Sequence, residues 1–422
     1  MKNISLICLF IVLIKGFSIS QTSTNYSQLN GNSSQTGSNS DLPLNTITTA
    51  MPFLSINPDS RSGALGDAGT ALSPNANSLF WNTAGISFSK NKLEIGGSVV
   101  PWLRQLTNDI NLYYIAGYSK INERNAFAFS LRQFTLGEIT YTDQKGDVLR
   151  PDKPSEQELA VGYSLKLTDK FSLGVNGKFA YSNLTGGIIT AGAQTKAGVA
   201  GAADISFMYQ NTGMQLGGKT GELRVGATIN NVGNKISYSA NASSDFLPTS
   251  LKLGSSYTTK VDNYNSIAVT IDLQKLLVPT PAIYSNNSMI AGKSSDVGVI
   301  TGIFQSFSDA PGNPLLLSNG KYDLNTDGTA KIVKGTRLKE ELSEITISGG
   351  VEYNYNKVFA VRGGYFHESK NKGARQFFTF GAGLKYNIMQ IDISYIAALQ
   401  RNSPLANTLR FSLLFTIKTD QN

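Results

Sequence analysis

Short segments in which apolar and polar residues alternate recur along most of this chain. In one of them Leu159, Val161, Tyr163 and Leu165 occupy the odd positions, and small or polar residues occupy most of the even ones. Because successive side chains on a strand point to opposite faces, this period of two predicts strands with one apolar and one polar face. Fourteen such strands are predicted, at residues 93–100, 110–118, 126–134, 157–167, 171–182, 203–210, 222–230, 250–258, 265–274, 345–355, 358–366, 376–387, 390–399 and 409–418.

The connections between these segments alternate between short and long. Asn356 and Lys357 alone separate two segments, whereas about seventy residues precede that pair of strands. Short turns alternating with long loops, and an even strand count, are typical of bacterial outer-membrane barrels. The pattern predicts an all-β fold, a transmembrane antiparallel β-barrel of about 14 strands. Since the short turns of such barrels are periplasmic, both termini are expected in the periplasm.

The composition agrees with a barrel better than with a soluble protein or a helical membrane protein. Hydrophobic residues make up 41% of the chain and the mean hydropathy is -0.12, and a barrel strand needs only half its residues to be apolar. No apolar run long enough for a spanning helix occurs within the mature chain, which argues against helical membrane proteins only. The 21 Phe and 18 Tyr suit interfacial aromatic girdles.

The first 92 residues divide into three predicted regions ahead of the barrel. Lys2 and an apolar run containing Cys8 predict a signal peptide at 1–20, because the run is too short for an anchor helix. Cleavage removes the only cysteine, which excludes disulfides and thiolate metal sites from the mature protein. Residues 21–45 form a polar leader, predicted to be disordered. Residues 46–92 are predicted to be a hatch, either a plug or a periplasmic cap, and 93–422 the barrel.

The positive charge of the chain is dispersed. The net charge is +8 and the pI is about 9.2, but the basic residues lie at strand ends and in loops, so nucleic acid is not expected as a partner. Several basic residues fall on the polar face of predicted strands, where they indicate a solvated lumen. These residues are Lys166, Lys178, Arg224, Lys252, Arg362, Lys385 and Arg410.

One connection, at residues 275–344, is far longer than the others. Loops of this length are functional or disordered, and this one carries apolar and aromatic residues, including Phe304 and Phe307. Exposed aromatics favour an interface with another protein, so Phe304, Phe307, Asp309 and Pro311 are predicted to contact a partner. The alternative is that the loop folds back and plugs its own barrel.

Three motifs that suggest chemistry have simpler explanations. Residues 213–220, GMQLGGKT, match the P-loop pattern, but a strand rather than a helix follows, which favours a Gly-rich hairpin. Asp323, Asn325 and Asp327 reproduce half of an EF-hand loop, but Lys334 stands where a bidentate Glu is required, so calcium binding would be weak. His367 is the only histidine, and a solvated strand-end residue is favoured over a hydrolase base.

The predicted hatch contains charged residues among Pro and Gly. A buried arginine paired with a carboxylate would lock a hatch into the barrel wall, and this structural role is favoured over catalysis. The residues predicted to lock the hatch are Asp59, Arg61, Asp67, Trp81 and Asn82. No catalytic residue, metal site or cofactor is predicted beyond the weak calcium loop.

Several stretches carry a family resemblance that spans residue 46 to the carboxyl terminus. They are PFLSINPDSRSGALGDAGTA at 52–71, SP at 73–74, WNTAG at 81–85, FQSFSDAPG at 304–312, KEEL at 339–342 and GYFHE at 364–368. The set closely resembles the PorV family of outer-membrane barrels of the type IX secretion system, similar in fold to the FadL fatty-acid transporters. Two features depart from the family: Thr83 replaces the usual proline, and an insertion at 315–338 interrupts the long loop.

The resemblance implies a non-enzymatic shuttle in the outer membrane of a Gram-negative bacterium. It would bind secreted cargo through a conserved C-terminal signal domain at the translocon pore protein and deliver it to a surface attachment complex. The alternative is a FadL-like channel for hydrophobic solutes, which the inward charges Asp204, Asp272 and Glu352 disfavour. A lipid-modifying enzyme is a third interpretation, disfavoured by the single histidine and the lack of a Gly-x-Ser-x-Gly elbow.

Overall fold

A computed structural model describes residues 42–142, 145, 147–184, 189–190, 193–216, 218–239, 243–400 and 403–418. The predicted signal peptide, Cys8 and most of the polar leader lie outside the described residues. No helix in the described part of the chain is long and apolar enough to cross a membrane.

Fourteen antiparallel strands form a closed barrel, as the alternating pattern predicts. Each strand pairs with its neighbours along the chain, and pairing of the first strand with the last closes the sheet. The strands are β1 (Asn91–Pro101), β2 (Ile110–Lys120), β3 (Asn125–Leu136), β4 (Ser155–Lys166), β5 (Phe171–Asn183), β6 (Gly198–Leu216), β7 (Lys219–Gly233), β8 (Ser250–Lys260), β9 (Asn265–Leu276), β10 (Ile345–Tyr355), β11 (Phe359–His367), β12 (Gln376–Tyr386), β13 (Met389–Ala398) and β14 (Leu409–Lys418).

The two faces of the wall differ as the period of two requires. In β4 the side chains of Leu159 and Val161 are exposed on the outside, and Ala160 and Ser164 are buried inside. On the outside, Phe171 packs at 5.8 Å from Phe207, measured between ring centroids, in part of an aromatic girdle. An apolar exterior between aromatic girdles is the surface that a transmembrane barrel presents to lipid.

The two ends of the barrel carry different connections. At one end, here called the short-turn end, the connections are residues 121–124, 167–170, 217–218, 261–264, 356–358 and 387–388. At the other, the long-loop end, they are residues 102–109, 137–154, 184–197, 234–249, 277–344, 368–375 and 399–408.

The hatch lies inside the barrel and runs along it from end to end. It contains 3₁₀ turns at Pro52–Ser55 and Thr83–Phe88 and two short helices, α1 (Ser60–Gly63) and α2 (Ser78–Trp81). At the long-loop end the amide of Asn45 donates to the carbonyl of Asn371 at 2.9 Å. At the short-turn end Ser89 Oγ lies 2.6 Å from Tyr118 Oη. The segment is therefore a plug that ends where β1 begins, at Asn91.

The two ends of the described part of the chain lie at opposite ends of the barrel, and the prediction that both termini are periplasmic stays a prediction. The first described residues are at the long-loop end, whereas β14 ends at Lys418 beside the start of β1, at the short-turn end. The physical reason is that the hatch adds one further crossing of the barrel before β1. An even number of strands alone would have left both ends together.

The prediction that the inward basic residues face a solvated lumen is wrong for most of them. Arg224, Lys252, Arg362 and Arg410 are buried and the side chain of Lys178 is only 5% exposed, because the hatch occupies the space beside them. Lys166 and Lys385, near the short-turn end, are half-buried. The polar faces of the strands therefore contact the hatch rather than bulk water.

The long connection at residues 277–344 folds into a compact unit over the long-loop end, here called the cap. It contains a hairpin of Ile283–Ser285 with Ser288–Ala291 and two helices, α3 (Val299–Gln305) and α4 (Thr336–Ser343). Isolated bridges such as Pro314 to Ile332 order the insertion between the helices. The alternative that this loop plugs the barrel does not hold, because the hatch fills the described lumen.

Candidate functional site

The start of α1 is fixed by Asp59, which caps the helix and also holds α2. One carboxylate oxygen accepts from the amide of Ser62 at 2.9 Å, the usual arrangement at a helix N-cap. The other accepts from Trp81 Nε1 at 2.7 Å. Asp59 and Trp81 are both buried, so this bond joins the two helices inside the hatch.

Arg61 connects the hatch to the wall through a bidentate ion pair. Its Nε and Nη2 donate to the two oxygens of Glu352 on β10, each at 2.9 Å. Glu352 also accepts from Arg362 Nε at 2.6 Å, and Arg362 Nη1 donates to Asp392 Oδ1 at 2.6 Å. Two guanidinium groups and two carboxylates thus balance one another. Removing one member would leave a buried charge without its partner.

Further polar contacts fasten the hatch around the rest of the wall. Asp67 pairs with Arg410 of β14 at 2.7 Å, and Asn82 Nδ2 donates to the carbonyl of Phe207 at 3.0 Å. Thr83, the residue that departs from the family pattern, donates its hydroxyl to Asn176 Oδ1 at 2.6 Å. All five predicted hatch residues therefore make contacts that hold the hatch: Asp67, Arg61 and Asn82 bond to the wall, and Asp59 and Trp81 bond to each other within the hatch.

Sequence reasoning assigned inward positions to Glu352, Arg362 and Arg410 but did not identify Asp392. A signal was present, because Asp392 alternates with Ile391 and Ile393 and so lies on the polar face of β13.

Glycines in the wall let the hatch approach closely. A Cβ on Gly364 of β11 would collide with the backbone of Leu65 and Gly66, and one on Gly226 of β7 would collide with the carbonyl of Thr70. A cavity of about 10 Å³ next to Arg61 and Trp81 has room for at most one water molecule. Hatch and wall are thus in direct contact, which leaves little space for a solute at these positions.

A buried ionic cluster attaches the cap to the barrel rim. Lys372 lies 2.8 Å from Glu340 and 3.0 Å from Glu344, and Lys275 pairs with Glu344 and, at 3.3 Å, with Glu341. Asn45 Nδ2 donates to Glu340 at 3.0 Å, so the entry of the hatch belongs to the same cluster. The cluster connects the cap, the hatch and the 368–375 loop.

The four predicted partner-binding residues of the cap divide into two pairs. Phe304 is 73% exposed and Phe307 is 51% exposed, with Lys275 Nζ 5.9 Å from the centre of the Phe307 ring. Asp309 and Pro311 are buried, contrary to a role in direct contact with a partner. Asp309 accepts from the amide of Thr280 at 3.1 Å, and burial raises its pKa to about 6. Of these four residues, only Phe304 and Phe307 are on the surface.

The remaining motifs occupy ordinary structural positions. Residues 213–220 lie in the hairpin between β6 and β7, without the helix that a phosphate cradle requires. Asp327 caps its own turn, and bonds from the hydroxyl and amide of Thr329 lower the pKa of its carboxyl. Asp323 pairs with Lys331 at 2.9 Å, and His367 ends β11. Among the described residues, no group of three or more His, Cys, Asp or Glu side chains is placed to hold a metal.

The closed wall, the apolar exterior and the internal hatch define a plugged outer-membrane β-barrel. Residues 39–283, more than half of the 422-residue chain, match the family described as Type IX secretion system protein PorV. The chain therefore belongs to the PorV family, a component of the type IX secretion system.

Comparison with solved structures gives distant matches. The chain is 11% identical to the toluene transporter TodX of P. putida, covering 86% of this chain and 98% of that one with a TM-score of 0.46. For a FadL homologue of Pseudomonas aeruginosa the identity is 12%, the coverage 89% and 99%, and the TM-score 0.42. For the toluene transporter TbuX of Ralstonia pickettii the identity is 10%, the coverage is 85% of this chain and 97% of that one, and the TM-score is 0.43. No curated protein matches the chain.

Proposed function

We propose that this protein is a non-enzymatic shuttle of the type IX secretion system. It binds cargo proteins through their C-terminal signal domain at the translocon pore protein and delivers them to the surface attachment complex. The observation that carries the proposal is the combination of a plugged barrel with a folded cap that exposes Phe304 and Phe307. A protein that acts by holding cargo needs an exposed binding surface and does not need an open lumen.

The lumen supports the shuttle over a channel for hydrophobic solutes. Such a channel requires an apolar passage, whereas the inward faces here carry buried ion pairs such as Lys178 with Asp204 at 2.7 Å. Lys252 lies 4.6 Å from the centre of the Trp81 ring, a cation–π contact that places another charge beside the hatch. Moving a hydrophobic solute through this region would require the hatch to leave.

Deleting the gene tests the proposal against the channel. We expect secreted proteins that share one C-terminal domain to accumulate inside the cells, while the outer membrane stays tight to bulky antibiotics and fatty-acid uptake stays normal. The measurement is mass spectrometry of cell and medium fractions, with re-expression of the gene as the control. Normal secretion with lost fatty-acid uptake would instead establish the channel.

We further propose that the long-loop end faces the outside of the cell, as in other bacterial barrels. Because the predicted mature chain lacks cysteine, single cysteines can report the orientation. We expect Asn319→Cys in the cap and Leu44→Cys at the hatch entry, both exposed, to react with an impermeant maleimide on intact cells. Asp169→Cys in a short turn should react only after lysis. Labelling of Asp169→Cys alone on intact cells would reverse the orientation.

A further inference from the structure

Helix α4 is fixed at the edge of the lipid-facing wall. A single residue, Glu344, separates its last residue from β10, and Glu344 is paired with Lys275 of β9 and with Lys372 at 3.0 Å. Below it, Leu273 and Ile347 are paired across β9 and β10 and are exposed on the outer face. Lys275 is two residues beyond Leu273, about 7 Å along the strand. The carboxyl end of the helix therefore lies where the apolar belt of the wall ends.

The helix turns an apolar stripe away from the cap. Thr336 and Glu340, four residues apart, are buried against the cap. Leu338 and Leu342, also four residues apart, are 66% and 60% exposed. Because residues at this spacing share one face of a helix, the two leucines form a ridge opposite the buried face. Leu342 is three residues before the start of β10, so the ridge ends close to the apolar belt of β9 and β10.

The charges around the ridge are mainly positive. The two acidic residues of α4 are turned to other partners: Glu340 to Lys372 at 2.8 Å and Glu341 to Lys275 at 3.3 Å. Lys334 and Arg337 line an open groove of about 490 Å³ beside the start of the helix. A leucine ridge flanked by cations next to the lipid belt is the arrangement of an interfacial segment at an anionic membrane surface.

We propose that α4 is a lipid-binding interfacial helix in the leaflet nearest the long-loop end. Leu338 and Leu342 lie at the boundary of the acyl chains, and Lys334 and Arg337 bind the phosphates of anionic lipid headgroups. This contact sets the height of the cap above the membrane. The proposal does not depend on the shuttle function, because it rests only on the position, exposure and charge of this helix.

Quenching by brominated lipid tests the position of the ridge. Leu342→Trp is reconstituted into phosphatidylcholine vesicles with or without bromine on the upper acyl chain, and the emission of the parent, from Trp81 and Trp102, is subtracted. We expect bromine to remove at least half of the added emission. The control is Leu317→Trp, which stands at an exposed site on the insertion and should keep its emission. If the Leu342→Trp barrel shows normal heat-modifiable migration but its added emission is not quenched, the ridge does not contact the acyl chains and the proposal is overturned.

The headgroup is tested separately at equal mole fractions of brominated lipid. Brominated phosphatidylglycerol should quench the tryptophan of Leu342→Trp more strongly than brominated phosphatidylcholine, since each cation near an anionic surface adds roughly fivefold to local lipid binding. Adding Lys334→Gln and Arg337→Gln to that variant should abolish this preference and leave quenching by phosphatidylcholine unchanged. Equal quenching by both lipids before the cations are removed would overturn the anionic part of the proposal.

Discussion

Glu352→Gln is expected to release the hatch and open an ion-conducting path through the barrel. The substitution leaves two arginines inside the barrel, the half-buried Arg61 and the buried Arg362, with Asp392 as their remaining carboxylate. Breaking a buried pair in this way costs about 3–5 kcal/mol. Since each 1.4 kcal/mol is tenfold in an equilibrium, opening should become roughly a hundredfold or more frequent. Single-barrel conductance in planar bilayers measures it, with the parent protein expected to stay closed.

Two controls distinguish release of the hatch from a general effect of substitution on the barrel. Glu123→Gln removes a carboxylate whose side chain is 89% exposed in a short turn, and it should leave the barrel closed. Arg61→Leu combined with Glu352→Leu removes both charges of the pair and should conduct less than Glu352→Gln, because the remaining Arg362 keeps Asp392. If Glu352→Gln conducts no more than the parent, the ion pair does not hold the hatch.

The strands were predictable because a barrel wall imposes one strict rule on the sequence. Residues such as Leu159 and Ala160 must alternate if one face meets lipid and the other does not. Turn lengths then fix the order of antiparallel neighbours. The strand ends were less predictable: β6 continues to Leu216 and β7 begins at Lys219, because main-chain pairing extends beyond the apolar belt. Hydrogen bonding there needs no particular residue type.

The presence of a polar lock between the hatch and the wall was predictable, but the residues that pair in it were not. An arginine largely removed from water, such as Arg61, requires a carboxylate, so the sequence indicated a lock between the hatch and the wall. The partner Glu352 is 291 positions away along the chain, and the alternating pattern shows only that it faces inward. The same pattern cannot distinguish water from a hatch as the neighbour of a polar face, which is why the solvated lumen was wrong.

The cap was the least predictable region because it has no periodic pattern. Phe304 and Asp309 lie only five residues apart, yet the first is on the surface and the second is buried. The burial of Asp309 depends on the amide of Thr280, a contact that no local signal encodes. Sequence reasoning therefore identified the right segment and could not separate its surface residues from those that support it.

Phe304→Ala combined with Phe307→Ala is expected to reduce cargo recovered with the purified protein at least tenfold. Exposed aromatic rings are favoured interface anchors, and truncating one costs roughly 2 kcal/mol or more when a partner covers it. Both rings are more than half exposed, so their removal should leave little empty space within the cap. Affinity purification from the native outer membrane, with cargo quantified by mass spectrometry, measures the effect.

The matched control changes two exposed leucines of the same cap. Leu316→Ala combined with Leu317→Ala removes apolar side chains that are each about half exposed, and it should leave cargo recovery unchanged if binding depends on the phenylalanine pair. Barrel folding is followed in every variant by heat-modifiable migration on gels. Lost cargo with an unfolded barrel would mean that the rings pack on the protein itself. Normal cargo recovery with a folded barrel would exclude Phe304 and Phe307 from the binding surface, because the only change made was the loss of their rings.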